Sequence, residues 1–145
     1  HTHYYEVDWE SVEWLSAWPE LVEEAPMIFE AADVLISGPG SDNATLTPPT
    51  ADEQEGIIFS GFAQENGEEF RLGRNSEQFS INTGQKPYDT VVACVLLRAY
   101  MLAPGHFKVR SEGKWNGLPW IKARSLYKTL WSDDRLDCPW VDGEV

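Results

Sequence analysis

"FSINTGQKPYDTVVACVLLRAYMLAPGHFKVRS", Phe79 to Ser111, changes hydrophobic period twice. "FSIN" reads as a short strand, and Thr83-Gly84 turns the chain. From Thr90 to Ala103 the residues are apolar nearly all round, which predicts a helix buried on every side. Pro104-Gly105 stops that helix, and "HFKVRS" alternates as a further strand. A strand, a central buried helix and a strand in succession predict an α+β fold, with helices covering a small antiparallel sheet.

Upstream, "GIIFSGFAQENGEEFRLGR", Gly56 to Arg74, places Asn66-Gly67 between two aromatic-rich runs. That dipeptide suits a type I′ turn, because both central residues need positive φ. With Phe79–Asn82 as the third strand, a three-stranded antiparallel meander is expected. Downstream, Pro119 opens a last amphipathic helix in which Trp120, Ala123, Tyr127, Leu130 and Trp131 share a face, while Lys122, Arg124 and Lys128 project elsewhere.

The N-terminal stretch "VDWESVEWLSAWPELVEE", Val7 to Glu24, holds three tryptophans and six carboxylates without a Lys or Arg. Asp8 is a fair N-cap, and Val12, Trp14, Leu15, Trp18, Leu21 and Val22 share one side of a helical wheel. Trp14 and Trp18 therefore read as packing residues, with Trp9 off their arc. An interior proline removes a backbone donor, so Pro19 predicts two short helices or a kink near Trp18, and Pro26 opens a third stretch running to about Ile36. Residues 37–56 are rich in Gly, Pro, Ser, Thr and acid and read as a mobile loop. The expected organisation is one domain, 1–145. It divides into an acidic helical lobe (1–36), the loop (37–56), an α+β core (57–131) and a tail (132–145).

Phe79 to Trp131 also carries an F-x-x-x-T-x-x-x-P-Y-D entry to an apolar helix, the S-x-G turn at Ser111 to Gly113 and a tryptophan-led last helix. This pattern resembles small uncharacterised proteins of phage and bacterial genomes. The resemblance spans about half the chain, excludes the acidic half and brings no activity, cofactor or site with it.

Charge is the most informative feature. The formal charge is −13, but residues 1–70 contain sixteen acids and no Lys or Arg, whereas residues 71–145 contain eight acids and eleven bases. Such asymmetry bears on partners and association rates rather than on fold. A uniform halophilic bias would not divide this way. Eleven bases cannot neutralise all twenty-four acids, so self-repulsion remains. We expect Asp8, Glu10, Glu13, Glu20, Glu23 and Glu24 to form a surface for a protein partner with a basic face. Along a helix their spacing is about one charge per 4 Å, close to the roughly 3.4 Å of a single nucleic-acid strand. The expected function is therefore non-enzymatic: an acidic phage or mobile-element protein that inhibits or modulates a nucleic-acid-handling protein, in the manner of a nucleic-acid mimic. The net charge opposes direct nucleic-acid binding. A small-molecule enzyme with a pocket between sheet and last helix, and an assembly protein joined through tryptophans, are the alternatives.

No residue is nominated as catalytic, and no cofactor is expected. Thr83, Gly84 and Lys86 before a helix N-terminus offer the ingredients of an anion site, but they lack the glycine spacing of a phosphate loop, and a plain turn explains them. No metal set is legible, since Cys94 and Cys138 lie 44 residues apart beside one internal histidine, His106. His1-Thr2-His3 reads as a tag remnant. A free amine with His at position three can hold Cu(II) or Ni(II), yet a copper oxygenase with an N-terminal His would need a second placed His and a β-sandwich. Cys94 reads as a buried, inert thiol. With two cysteines and no apolar run long enough for a membrane span, a cytoplasmic protein is expected, in the host cell if phage-encoded. Its oligomeric state is not legible.

Overall fold

The computed structural model describes residues 1–141. The last four residues of the expected tail lie outside the described residues. In chain order the elements are strand β1 (Thr2–Val7), helix α1 (Val12–Ala31), strands β2 (Ile36–Ser37), β3 (Thr50–Asp52), β4 (Gly56–Gly61), β5 (Phe70–Leu72) and β6 (Ser80–Asn82), helix α2 (Asp89–Leu102), strand β7 (Phe107–Ser111) and helix α3 (Leu118–Leu130). The class is α+β, with antiparallel strands in two sheets. One has the order β6-β1-β7, and the other has β2-β4-β3 with β5 also paired to β4.

The central helix falls where its composition puts it. Every residue of α2 from Val91 to Ala99 is buried, Arg98 included. It packs against α1, α3 and β7, so its apolar circumference has a partner on each side.

Thr2 and His3 of the segment read as a tag remnant open β1, the middle strand of a sheet. β1 pairs with β6 through His3↔Ile81 and with β7 through Tyr5↔Val109. His3 and Tyr5 face the core, and Tyr4 and Glu6 face outward. Phe79–Asn82 therefore joins β1 rather than extending a meander from β5.

β4 and β5 do form a hairpin, with Phe59↔Phe70 in register, but its connection is wide and includes a 3₁₀ turn at Ala63–Glu65 instead of a two-residue turn. The cause is Tyr88. Its ring is fully buried beneath this loop, and its hydroxyl donates to the Glu68 carbonyl at 2.7 Å. A side chain at Gly67 would begin 2.6 Å from that hydroxyl oxygen, so the loop folds around a phenol where Asn66-Gly67 alone would make a tight turn.

Helix α1 is continuous through both prolines. Pro19 and Pro26 are seven residues apart and exposed, so the Leu15 and Val22 carbonyls lose their helical partners toward the solvent side. Its N-cap is Ser11, whose Oγ accepts from the Trp14 amide, while Asp8 instead caps the preceding turn through the Glu10 amide. The buried face is Trp14, Ala17, Trp18, Leu21, Ala25 and Ile28; Val12 and Leu15, expected to be inside, are exposed. Small Ala17 and Ala25 on the inner face favour close approach to neighbouring elements, and Trp9 packs edge-on against both Trp14 and Trp18.

The helix ends at Ala31, and Ile36 belongs to β2. Of residues 37–56, Thr50–Asp52 are paired to β4, and at Gly38 an added Cβ would lie 1.7 Å from the Pro48 carbonyl oxygen. The loop is thus folded back tightly on itself at that point.

Candidate functional site

Fifteen of the sixteen acids in residues 1–70 are exposed, Glu24 being the exception. The six predicted partner-binding acids divide. Asp8, Glu10, Glu13 and Glu23 face solvent, whereas Glu24 and the still half-exposed Glu20 turn toward Arg98 of α2. Arg98 makes a two-pronged bond to Glu24, Nε to Oε1 at 2.8 Å and Nη2 to Oε2 at 2.9 Å. It also reaches Glu20, the Tyr127 hydroxyl and Asp134, and its guanidinium lies 4.0 Å from the centre of the Trp131 ring. Burial works against this charge, and the hydrogen bonds of Glu24 and Tyr127 more than offset it, holding Arg98 ionised. This knot joins α1, α2, α3 and the segment after α3, so Glu24 is a structural residue.

Its own backbone amide, then the Ser11 hydroxyl and lastly His106 at 3.5 Å hold the Glu13 carboxyl below the usual range. Glu10 lies 3.8 Å from Arg74, both exposed. Next to them, the Trp18 indole donates to the Glu53 carbonyl, and Gly73 lies against Gly56. Those contacts bring the turn carrying Asp52, Glu53 and Glu55 beside the N-terminal half of α1. The acidic rim is assembled from two segments, of which the sequence nominated one.

A second constellation is polar and buried. His3 Nδ1 lies 2.8 Å from Ser111 Oγ, and His3 Nε2 lies 2.7 Å from Asp89 Oδ1, which also accepts from the Thr83 hydroxyl at 2.6 Å. Ser111 Oγ accepts from the Trp120 indole at 3.1 Å and from the Gly113 amide at 3.0 Å. With both lone pairs of that oxygen occupied, its own proton goes to His3 Nδ1, which fixes the Nε2–H tautomer of His3 and directs that proton to Asp89. Burial would raise the Asp89 carboxyl, but the bonds from His3 and Thr83 hold it below the usual carboxylate range. Serine, histidine and aspartate in line suggest a nucleophile and its base. Two features oppose that role: Ser111 is 2% exposed, and its oxygen already receives two donors, which quenches it as a nucleophile. The network fastens β1 to β7, α2 and α3.

His1 completes the cluster. Its ring meets that of His3 edge-on at 5.0 Å, and its Nε2 lies 3.7 Å from Asp89 Oδ1, buried and without a hydrogen-bond partner among the described residues. His1, His3 and Asp89 together offer three ligand atoms within 4.8 Å of one another, so the structure assembles a ligand set where none was expected.

Of the nominated anion site, Thr83 is buried and committed to Asp89, and the Lys86 ammonium donates to the Gln64 carbonyl. Gly84 and Gln85 turn the chain with φ of +62° and +56°. A carboxylate, Asp89, already stands at the start of α2, which disfavours a second anion there.

A groove of about 840 Å³ runs along the edge strand β7 beside Pro139 and Trp140 and is open to solvent. Tyr4, Phe79, Tyr100, Lys108 and Arg110 line it, and among the described residues Glu6 is its one carboxylate and no histidine, serine or cysteine lines it. It lies on the β1–β7 sheet and is lined by no residue of α3. Among the described residues no helix is long and apolar enough to cross a membrane. Comparison with family models, curated proteins and solved structures returns no match.

Proposed function

We propose that this protein acts by binding rather than by catalysis, presenting the carboxylates of its first half to a protein with a basic surface, most concretely a nucleic-acid-handling protein that it inhibits or modulates as a phage or mobile-element product. One observation carries the reading. Of the sixteen acids in residues 1–70, only Glu10, Glu13, Glu20, Glu24 and Glu69 reach a cationic or histidine nitrogen among the described residues. The others stand in water, where their mutual repulsion opposes folding and a basic partner relieves it.

The fold refines which acids matter. Glu24, and in part Glu20, belong to the Arg98 knot. Glu10 and Glu23 with Asp52, Glu53 and Glu55 are the better contact residues. Electrostatic steering by such a rim raises association rates and weakens with salt.

The test is retention of partners on the immobilised protein at low and high salt, with Glu10, Glu23, Glu53 and Glu55 changed to Gln in parallel. Partners rich in basic clefts should be lost at high salt and lost to the variant. If both proteins retain the same partners at every salt concentration, the acidic surface is not the binding element.

A further inference from the structure

We propose that His1, His3 and Asp89 form a binding site for a borderline divalent cation of the zinc class. Two imidazole nitrogens and a carboxylate oxygen are the donor set such ions select, and three protein ligands leave a fourth position for solvent or another donor. The three atoms come from two elements, His1 and His3 at the β1 end and Asp89 in the first turn of α2, and lie within 4.8 Å of one another.

The distances suit one ion. His3 Nε2 to Asp89 Oδ1 is 2.7 Å and His1 Nε2 to the same oxygen is 3.7 Å. Donors bound to a common centre at about 2.0–2.1 Å sit roughly 3–3.7 Å apart, so seating the ion opens the first contact and draws the two imidazole nitrogens, now within 4.8 Å, together.

His1 is the independent observation. Its Nε2 is buried and faces a carboxylate oxygen at a distance too long for a hydrogen bond, an arrangement that leaves a polar atom uncompensated. Gly113 supports it, because a Cβ there would stand 3.2 Å from His1 Nε2. The surroundings also supply outer contacts: Thr83 donates to the Asp89 oxygen, and Ser111 lies on the far nitrogen of His3.

Loading has a definite consequence. His3 must present Nε2 without its proton, so the proton moves to Nδ1 and Ser111 changes from donor to acceptor toward the ring. Ser111 Oγ then faces three donors, and the Trp120 indole, the longest of those bonds at 3.1 Å, loosens.

The experiment adds Zn²⁺ to the isotope-labelled protein in excess Mg²⁺, which occupies hard carboxylate sites on the acidic surface. Long-range ¹H–¹⁵N spectra should show His3 passing from the Nε2–H to the Nδ1–H tautomer, with the Trp120 indole resonance shifting. In parallel, Co²⁺ should give a tetrahedral visible spectrum at one ion per chain. His1→Ala, which removes a peripheral ring, and Asp89→Asn, which keeps its shape, should each weaken Co²⁺ binding by more than the roughly 10- to 100-fold that loss of an outer-shell partner costs. Circular dichroism confirms that the variants fold. An unchanged His3 tautomer at saturating Zn²⁺, or Co²⁺ binding by a folded His1→Ala protein equal to that of the parent, overturns the site.

Discussion

Replacing Arg98 by Leu should destabilise the fold by about 3–4 kcal/mol. The Arg98 and Glu24 side chains are 9% and 16% exposed, so removing the guanidinium leaves Glu24 largely dehydrated without its counter-ion. Breaking a fully buried pair costs about 3–5 kcal/mol, and the residual exposure of Glu24 places this one near the lower end. Glu20 and Asp134, at 53% and 37%, regain water and contribute little. The stacking of the guanidinium on Trp131 adds about 0.5–1 kcal/mol. For a chain of this size the sum corresponds to a fall in Tm of roughly 10 °C. The assay is urea unfolding followed by circular dichroism, with Glu24→Leu added to complete a double-mutant cycle. Because the largest contribution is an orphaned carboxylate, the double variant should recover more than half of the loss. A single-variant cost below about 1 kcal/mol, or no recovery in the double variant, would refute the claim that this pair is buried in energetic terms.

Asp89→Asn should be less stable than the parent at neutral pH and should lose less stability in acid. The Asp89 carboxyl is held below its ordinary range in the folded state, so its contribution is present above the unfolded value near pH 4 and disappears as pH falls through the lower folded value. Parallel acid titrations that superimpose would sink that account. Gly56→Ala should cost about 2–3 kcal/mol, since Gly56 has φ of +104° and an added Cβ would stand 2.6 Å from the Leu72 carbonyl oxygen; thermal unfolding measures it. Raising salt from about 0.01 to about 0.5 M shortens the screening length from roughly 30 Å to well under 10 Å and should stabilise the parent, because most acids of the first half stand unpaired. A flat or falling Tm across that range would mean that self-repulsion is negligible.

The parts legible in the sequence are those in which a local signal and the tertiary environment agree. α2 reads correctly because an all-round apolar run has no alternative to complete burial, and β7 and α3 follow from Pro104-Gly105 and Pro119. β1 was hidden by its context. The alternation of "HTHYYEV" is a strand signal, but two histidines in the first three residues point the reading toward an appended tag and away from secondary structure. The wide hairpin loop depends on Tyr88, which lies far along the chain from Asn66-Gly67 and carries no mark of where its ring will go. The polar cluster was illegible for the same reason. His3 lies 86 residues from Asp89 and 108 from Ser111, and no spacing rule joins residues across a sheet and the start of a helix.

Charge asymmetry and internal polar contacts are connected through this topology. α1 has no cation of its own, so whatever holds its carboxylates from within comes from later in the chain: Arg98 from α2 on one side and His106 beside Glu13. Burying one arginine against Glu24 consumes one acid completely and a second in part, while the rest of the helix's acids remain outside. A fold that needed only solubility would have been served by scattered lysines on the same outward face, each relieving repulsion at little cost. Residues 1–70 contain no Lys or Arg. Among the described residues, exposed Arg74 and Arg71 meet only Glu10 and Glu69 outside α1, and the strong cation that reaches α1, Arg98, sits beneath it, where surrounding protein limits its influence on solvent. The interior pairing therefore stabilises the helix without neutralising its outer face, which is the condition a negatively charged binding surface requires.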